Sequence, residues 1–491
     1  MRKKLLILGL GLMMAVQLHG QNEPSINDDL PDAAKVLPGP PVSRTSIRFA
    51  NDYVQYNWGK TMRTASSGGK DVTEFLADDV SEYLRTFSRV INVTMSKNQT
   101  PFIYELMEYC MTIGSKVLDE AHATFDRQRP YVMFQEEPLK KSMMDKYAAI
   151  SSYPSDQSFF GWLYALVLTE VCPNRQDQIL DKGAEFAQGT VISGYNWESD
   201  ARDANLLASA LLSRLHCHNA FESYLLNAQV EYKGIASTIA PEMPSSSAFL
   251  PKPPNELSYQ YVYDLAQYEE GVLLRPTDVG QQAVADVEYS AEHFCEIFSE
   301  VLGVTISASA TPAIFRLLDY VHPYGNSVCQ DAKSVYKRRR PYVELGTSTA
   351  YPEDEDNLRG TGSYPSGHAS GSWLMALTIS EVARMHQDEL LARAYQFGQG
   401  RVITGYHWQS DVDAGRLVGS AAYARLHYHD TFRSLMKSAV AEYQQITTGV
   451  RSAVAAPSSP NASFYTVGGT RLQSAPSSHG VYIRNRKKVV Y

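Results

Sequence analysis

Three short motifs in the second half of the chain hold side chains that could transfer a phosphoryl group without a metal ion. In chain order they are Lys333-x6-Arg340-Pro341, Pro365-Ser366-Gly367-His368 and Arg401-x5-His407-x3-Asp411. In the first motif, an ammonium group and a planar guanidinium fork could clamp one phosphate. Because Lys333 and Arg340 are seven residues apart, we expect both cations on one face of a helix, before Pro341 turns the chain.

The second motif precedes a helix that we expect to begin near Gly371. A helix N-terminus offers free backbone N–H groups and the positive end of the helix dipole. Gly367 lets the backbone approach an anion closely, and Ser366 adds a hydroxyl donor. His368 lies at the rim of this predicted phosphate cradle, where it could donate a proton to the leaving oxygen.

The third motif could supply a nucleophile. Its four-residue spacing predicts that His407 and Asp411 are neighbours on one helix face, so that the carboxylate fixes the imidazole tautomer and directs the other ring nitrogen at phosphorus. Arg401 would add a third cation for the oxygens that gain charge in the transition state. Each motif alone is common on protein surfaces. All three motifs, however, occur in this order within 79 residues, which predicts that they form a single site.

The same spacing occurs 211 residues earlier, where Arg129 matches Arg340 (340 − 129 = 211). The other positions of this first copy are His122, Pro130, Ser155, Asp156, Gln157, Thr190, Asn196 and Asp200. Gln157 and Asn196 take the places of the two histidines, and an amide can neither form the phosphoryl-nitrogen bond nor deliver a proton at a useful pH. We interpret the chain as a tandem duplication with a catalytically inactive first copy.

The predicted domains are a signal peptide at 1–20, a degenerate domain at 36–232, an active domain at 251–448, and a linker with a tail at 451–491. A proline-rich stretch introduces each copy, and the segment from about 241 to 256 is the predicted interdomain linker. Helical periodicity in Trp373–Ala383, a small and apolar run at Ala414–His427, and the absence of convincing alternating strands in either copy predict two tandem all-α bundles.

The N-terminus indicates export. Arg2, Lys3 and Lys4 precede an apolar run from Leu5 to about Leu18, which is typical of a cleaved signal peptide, with an uncleaved anchor as the alternative. No other stretch approaches the roughly 20 apolar residues that a membrane span needs. We therefore expect no integral membrane segment after signal removal.

Composition limits the partners. A net charge of −8 argues against nucleic acid as a partner. The five cysteines show no metal-ligand spacing, so the prediction is no metal and no cofactor. In an oxidising compartment Cys295 and Cys329 could pair, but buried unpaired thiols are an equally open interpretation.

The three motifs resemble the signature of the type 2 phosphatidic-acid phosphatase superfamily, which includes the vanadium haloperoxidases. Residues 251–430 further resemble the bacterial class A non-specific acid phosphatases, through Tyr268–Arg275, Gly362–His368 and Gly405–Asp413. The resemblance implies a periplasmic, metal-independent, all-helical phosphomonoesterase that works through a phosphohistidine. It also implies that His407 is the nucleophile, His368 the general acid and Asp411 the orienting group, with phosphate bound by Lys333, Arg340, Ser366, Gly367 and Arg401. One departure is Gly400, where the superfamily usually has serine.

Several alternatives stay open. A vanadium haloperoxidase could use the same cluster, and a lipid phosphate or diphosphate phosphatase belongs to the same superfamily but normally carries membrane helices. The expected substrates are small phosphomonoesters. The two copies are expected to dock as an intramolecular pseudo-dimer, with a higher oligomer open. The tail stretches Phe464–Leu472 and Gly480–Tyr491 alternate like a β-hairpin and resemble type IX sorting signals, so outer-membrane or secreted localisation is the alternative to the periplasm.

Overall fold

The computed structural model describes residues 26, 29–65, 72–454, 464–466, 481–484 and 487–490. The predicted signal peptide at 1–20 lies outside the described residues. The chain forms two compact units, Met1–Val440 and Ala441–Tyr491. Below, residues 36–232 are called the first segment and residues 251–448 the second segment.

The larger unit is built from helices. Up to residue 233 they are α1 (Ala33–Val36), α2 (Ile47–Ala65), α3 (Val80–Ile91), α4 (Pro101–Phe125), α5 (Pro130–Phe134), α6 (Met144–Tyr147), α7 (Asp156–Val171), α8 (Gln176–Ser193), α9 (Glu198–His216) and α10 (Asn219–Lys233). Short 3-10 turns cover Val72–Phe75, Lys141–Met143 and Pro173–Arg175.

The later helices follow a similar order. They are α11 (Ser246–Phe249), α12 (Tyr259–Leu274), α13 (Asp278–Ala285), α14 (Ala291–Leu302), α15 (Pro312–Ser327), α16 (Gln330–Tyr336), α17 (Pro341–Leu345), α18 (Glu355–Leu358), α19 (Gly367–Val382), α20 (Gln387–Ile403), α21 (Gln409–Leu426) and α22 (Asp430–Val454). Further 3-10 turns cover Pro352–Asp354 and Arg384–His386. The all-α prediction is confirmed, because every described element of Met1–Val440 is helical.

Element boundaries recur at the sequence offset. Helix α7 begins at Asp156 and α19 at Gly367 (367 − 156 = 211), and the same offset relates the starts of α9 and α21. Both α7 and α19 are buried on nearly all sides, which is the pattern of a helix at the centre of a bundle. Each segment thus has a central helix whose first turn carries the second motif or its counterpart.

The two segments contact each other through buried side chains. The hydroxyls of Ser209 on α9 and Ser420 on α21 are 2.8 Å apart, and these positions are themselves separated by 211 residues. Ser213 donates a hydrogen bond to the carbonyl oxygen of Leu377 at 2.9 Å. The contact therefore joins α9 of the first segment to both α19 and α21 of the second segment.

The predicted linker is anchored rather than loose. Ser245, Ser246 and Ser247 all contact the carboxylate of Asp331 on α16, and both Ser246 and Phe249 are buried. The connection between the segments is consequently fastened next to Lys333.

The smaller unit, Ala441–Tyr491, contains the end of α22 and a three-stranded antiparallel sheet. Its strands are β1 (Phe464–Thr466), β2 (Val481–Arg484) and β3 (Lys487–Val490), in the order β1-β2-β3. Val481 pairs with Val490 and Arg484 with Lys487, so β2 and β3 form a hairpin. Strands occur within both stretches whose alternation predicted them.

Two sequence expectations concern the whole chain. None of the described helices is long and apolar enough to cross a membrane. All five cysteines carry free thiols and four are buried, so the proposed pairing of Cys295 with Cys329 is wrong and the buried-thiol interpretation holds.

Candidate active site

The three motifs of the second segment meet around His407. Nη1 of Arg340 lies 3.2 Å from Nε2 of His407, and Nδ1 of His407 lies 3.5 Å from Oδ2 of Asp411. His407 is 2% exposed and Asp411 is fully buried. The cluster is therefore a dry site in which charges act strongly on one another.

The first motif reaches the site by a different route from the predicted helix face. Helix α16 ends at Tyr336, Lys337 has a left-handed φ of 45°, and Arg340 is the residue before α17. The expectation that Lys333 and Arg340 share one helix face is thus wrong. A turn brings the two cations together instead, and Lys333 is held by a 2.8 Å hydrogen bond from Nζ to the carbonyl oxygen of Gly362.

The second motif begins its helix earlier than predicted, at Gly367 rather than near Gly371. Ser366 is the N-cap of α19, and its hydroxyl accepts a hydrogen bond from the backbone N–H of Ala369. A Cβ at Gly367 would lie 2.4 Å from Oδ1 of Asn326, so a larger residue there would require the Asn326 side chain to move. Ser366, Gly367 and His368 consequently stand at the N-terminus of a helix that is buried on nearly all sides.

The contacts of His407 determine its tautomer. A guanidinium has no acceptor atom, so Arg340 must donate to Nε2, and Nε2 must carry the lone pair. The ring proton then resides on Nδ1, which faces Asp411 and the hydroxyl of Ser363, 3.4 Å away. This is the tautomer that a nucleophilic Nε2 requires.

The orienting carboxylate is held by more groups than the sequence indicated. Asp411 is the third residue of α21, not a partner of His407 on one helix face, because His407 precedes the helix. Its Oδ2 accepts hydrogen bonds from the backbone N–H of Trp408 at 2.9 Å and from Ser363, and its Oδ1 accepts from Arg338 at 2.7 Å. Neither Arg338 nor Ser363 was among the predicted site residues.

Burial and positive neighbours set the protonation states. Burial, followed by Arg340, lowers the pKa of His407 to about 3. Burial and Arg340 also lower the pKa of Lys333, to about 8. In the ligand-free site His407 is therefore neutral and Lys333 is charged at mildly acidic pH.

Arg401 is a buried guanidinium whose hydrogen bonds are incomplete. It is 1% exposed, and within the described part of the chain its Nε and Nη1 atoms have no hydrogen-bond partner. Burial lowers its pKa to about 10, and nearby Arg340 contributes to the shift. Unpaired buried donors beside two further cations fit a site for a polyanionic group such as phosphate.

The sequence of this chain is similar to those of known proteins. Residues 308–434 match the model of the PAP2 superfamily. The non-specific acid phosphatase of Providencia stuartii is 42% identical over 202 residues, which cover 41% of this chain and 82% of that protein. This chain belongs to the non-specific acid phosphatase family. The non-specific acid phosphatase of Salmonella typhimurium is 41% identical over 209 residues (41% of this chain, 84% of that protein), and the acid phosphatase of Zymomonas mobilis is 27% identical over 200 residues (41% and 76%).

His368, the predicted general acid of this family member, is neutral in the ligand-free site. Burial, followed by the positive charge of Arg401, holds its pKa well below the ordinary value. Its Nε2 donates to the carbonyl oxygen of Val287 at 3.0 Å, which leaves Nδ1 as the acceptor. A bound phosphate would oppose Arg401 and favour the protonated ring.

The first segment fills its corresponding cradle with its own carboxylate. Asp156, at the position of Gly367, lies 3.4 Å from Nη2 of Arg129 and 3.8 Å from Nε2 of His122. Asn196, at the position of His407, donates to the carbonyl oxygen of Ser152 at 2.8 Å. The groups that would hold phosphate are thus already paired within the protein.

Gly400, the departure from the superfamily pattern, lies against another helix. A Cβ there would be 3.3 Å from both Cα and Cβ of Ala283 on α13. A serine would require this helix to shift by a few tenths of an ångström, so close helix packing takes the place of one hydroxyl donor.

A buried cluster outside the candidate active site contains residue types that can bind metal ions. Among the described residues, ligand atoms of Glu170, His216 and His427 lie within 4.8 Å of one another. The two imidazole rings stack nearly parallel, 3.5 Å apart, so their in-plane lone pairs do not converge on one point. The arrangement suits a stacked pair better than a shared ion.

Proposed function

We propose that the second segment hydrolyses small phosphomonoesters through a phosphohistidine formed at Nε2 of His407. The observation that carries this proposal is the neutral imidazole whose Nδ1 faces Asp411 and whose Nε2 faces Arg340. The nucleophile and its orienting acid are thus arranged for covalent catalysis. Residues Lys333, Arg340, Ser366, Gly367 and Arg401 would bind the phosphate.

The reaction proceeds in two balanced steps. Nε2 of His407 attacks phosphorus, the bond to the ester oxygen breaks, and that oxygen takes a proton from His368. Water then attacks the phosphoryl group, the phosphorus–nitrogen bond breaks, and His368 accepts the proton that water loses. The carboxylate of Asp411 stabilises the positive ring of the intermediate, while the cations stabilise the equatorial oxygens.

The proposed setting is the periplasm, reached through the predicted signal peptide. A type IX route to the outer membrane or the medium is the alternative. We further propose that the first segment arose by duplication and does not catalyse, because Asp156 pairs with the cations of its cradle. Its role would be to dock against the second segment as a pseudo-dimer, in line with the Ser209–Ser420 contact.

Assays on a panel of phosphomonoesters test the proposed activity, with His407→Ala compared against Asn196→Ala at the matched position of the first segment. Loss of activity in the first variant alone is the expected result. Rapid quench with a labelled substrate should trap an acid-labile, base-stable phosphoenzyme in the wild-type protein and the Asn196 variant. A label that persists in His407→Ala would contradict the nucleophile assignment.

Chelation tests the metal-independent part of the proposal. Activity should survive treatment with a chelator and be inhibited by vanadate, which adopts the five-coordinate geometry of the transition state. If the chelator abolished activity and a divalent ion restored it, metal independence would be contradicted. The assignment of His407 as nucleophile would not be affected, because the histidine variants test it separately.

A further inference from the structure

Arg338 lies in a run of four basic residues, Lys337 to Arg340, yet its side chain is buried between two carboxylates. Nη1 donates to Oδ1 of Asp411 at 2.7 Å, and Nη2 donates to Oδ2 of Asp264 at 2.6 Å. The guanidinium also lies over the ring of Trp408, 5.4 Å from its centroid. With a further 2.7 Å hydrogen bond from Nη1 to the Ser410 hydroxyl, these contacts fix the orientation of the guanidinium.

Asp264 has no exposed surface and is fixed in turn. Its Oδ1 accepts from the backbone N–H of Ser410 at 2.8 Å, and its Oδ2 accepts from the Ser410 hydroxyl. Because Asp264 is on α12 and Ser410 is on α21, this carboxylate joins the first long helix of the segment to the helix that follows the nucleophile. Arg338 is thus held from the side opposite Asp411.

The charges in this cluster have a consequence for the reaction. An ion pair of Arg338 and Asp411 alone would be neutral, so it would give a positive imidazole little electrostatic stabilisation. Burial raises the pKa of Asp264 to about 6, so above that pH the three groups carry a net charge of −1, which matches the positive charge that the His407 ring gains on phosphorylation. A buried cluster whose total charge returns to zero in the intermediate favours formation of that intermediate.

We propose that Arg338, held by Asp264, is a positioning residue for the nucleophile: it fixes the Asp411 carboxylate and thereby keeps His407 in the Nδ1–H tautomer with Nε2 facing the phosphate. The direct contact between His407 and Asp411 is long, at 3.5 Å, so the orientation of the ring depends on a carboxylate that cannot move. This inference rests on the proposed function for the role of His407, but not for the geometry of the cluster.

The first segment provides a matched control. Arg127 contacts Asp52 and Asp200, donates to the hydroxyl of Ser199 at 2.8 Å, and lies 5.3 Å from the centroid of the Trp197 ring. The network is therefore repeated where no histidine depends on it. Any purely structural effect of breaking the network should appear in both segments.

The experiment compares Arg338→Lys with Arg127→Lys, and Asp264→Asn with Asp52→Asn, in the full-length chain. A lysine is a point charge that cannot fork between two carboxylates. We expect Arg338→Lys to lower kcat on the order of 100-fold with little change in KM, since small misplacements of reacting groups have effects of this size. Asp264→Asn should also lower kcat and slow phosphoenzyme formation. Both first-segment variants should keep wild-type kinetics while losing a similar amount of thermal stability.

A spectroscopic measurement separates this inference from the proposed activity. In protein labelled with ¹⁵N-histidine, the His407 resonances, assigned by their loss in His407→Gln, should show an Nδ1–H tautomer that becomes mixed in Arg338→Lys. An unchanged tautomer would overturn the inference whether or not the protein is a phosphatase. Equal losses of kcat in Arg338→Lys and Arg127→Lys would overturn it too, because they would indicate a structural role alone. A wild-type protein without phosphatase activity would instead overturn the proposed function.

Discussion

The imidazole rings of His216 and His427 stack with their centroids 3.5 Å apart and their planes 10° from parallel. The two residues are separated by 211 positions and come from the two segments. Nε2 of His216 is 3.1 Å from Glu170, and Nε2 of His427 is 3.1 Å from Glu381, again positions 211 apart. The contact between the segments therefore contains a pair of titratable rings, each next to a carboxylate.

The stability of the protein should depend on His216 in a defined pH range. Burial alone would lower the pKa of His216, but Glu170 and Glu222 outweigh it and raise this pKa well above the ordinary value. The contribution of His216 to the free energy of unfolding is therefore fully present below about pH 6.5, the ordinary pKa of histidine. It is lost as the pH rises through the raised pKa of His216. Burial alone would raise the pKa of Glu222, but His216 outweighs burial and lowers it. The stabilisation that Glu222 contributes is therefore lost in acid.

His216→Gln should accordingly reduce the free energy of unfolding by about 3–5 kcal/mol at pH 6, because Glu170 remains as a buried charge without its partner. The loss should shrink at alkaline pH, where the wild-type ring is neutral as well. Adding Glu170→Gln should return part of the stability. Denaturant unfolding at several pH values measures this, and a loss that does not vary with pH would contradict the assignment.

The pH dependence of kcat/KM should show a maximum on the acidic side of neutrality. The reaction needs neutral His407 and protonated His368, and burial with nearby arginines lowers the pKa of both rings in the free enzyme. Both limbs of the profile therefore move toward acid relative to ordinary imidazoles. A profile centred above pH 7 would contradict these protonation states.

Arg401→Gln should move the alkaline limb of that profile to higher pH. Removal of a positive charge favours the protonated ring, so the pKa of His368 rises even though phosphate binding weakens. Arg393 is on the same helix as Arg401, and Arg393→Gln, which breaks the ion pair with Asp286, is the control that should leave the limb in place. Equal behaviour of the two variants would show that Arg401 does not act on His368.

The role of His368 can be tested through the leaving group. His368→Ala should slow cleavage most for esters of basic alcohols and least for p-nitrophenyl phosphate, because p-nitrophenolate needs little protonation to leave. The ratio of kcat values across a series of leaving groups is the measurement. Equal losses throughout the series would count against a general acid.

Restoring histidines to the first segment should not create a second site. In a His407→Ala background, Asn196→His combined with Gln157→His should remain inactive, because Asp156 still pairs with Arg129 and His122. Adding Asp156→Gly should then permit phosphate binding, measurable by calorimetry. Activity in the variant that retains Asp156 would show that this carboxylate does not block the cradle.

The sequence predicted which residues form the site better than it predicted the local backbone structure that positions them. The types and order of the motif residues identified His407 and Arg340, which the fold brings to 3.2 Å. Helical periodicity placed Lys333 with Arg340, and His407 with Asp411, on shared helix faces. In the structure, turns at Lys337 and before Trp408 position these side chains instead. Spacing of seven or four residues is satisfied by either geometry, so it cannot distinguish them.

Arg338 was missed for a different reason. A run of four basic residues is ordinarily solvated, and only tertiary packing shows that the second member is buried between carboxylates. The repeat did contain a signal, since Arg127, Asp52 and Asp200 reproduce the same three charges earlier in the chain. Helix boundaries such as the start of α19 followed from capping by Ser366, which local sequence specifies more closely than apolar periodicity.

The anchoring of the linker bears on how the chain could be divided. The stretch around Ile239 is exposed, whereas Ser246 is fixed to Asp331 and Ser209 and Ser213 are buried against the second segment. We therefore expect the two fragments to stay together after cleavage near Ile239, through the buried contacts of Ser209 and Ser213 with the second segment. We expect two separately expressed polypeptides that meet at that point to assemble by complementation through the same buried contacts.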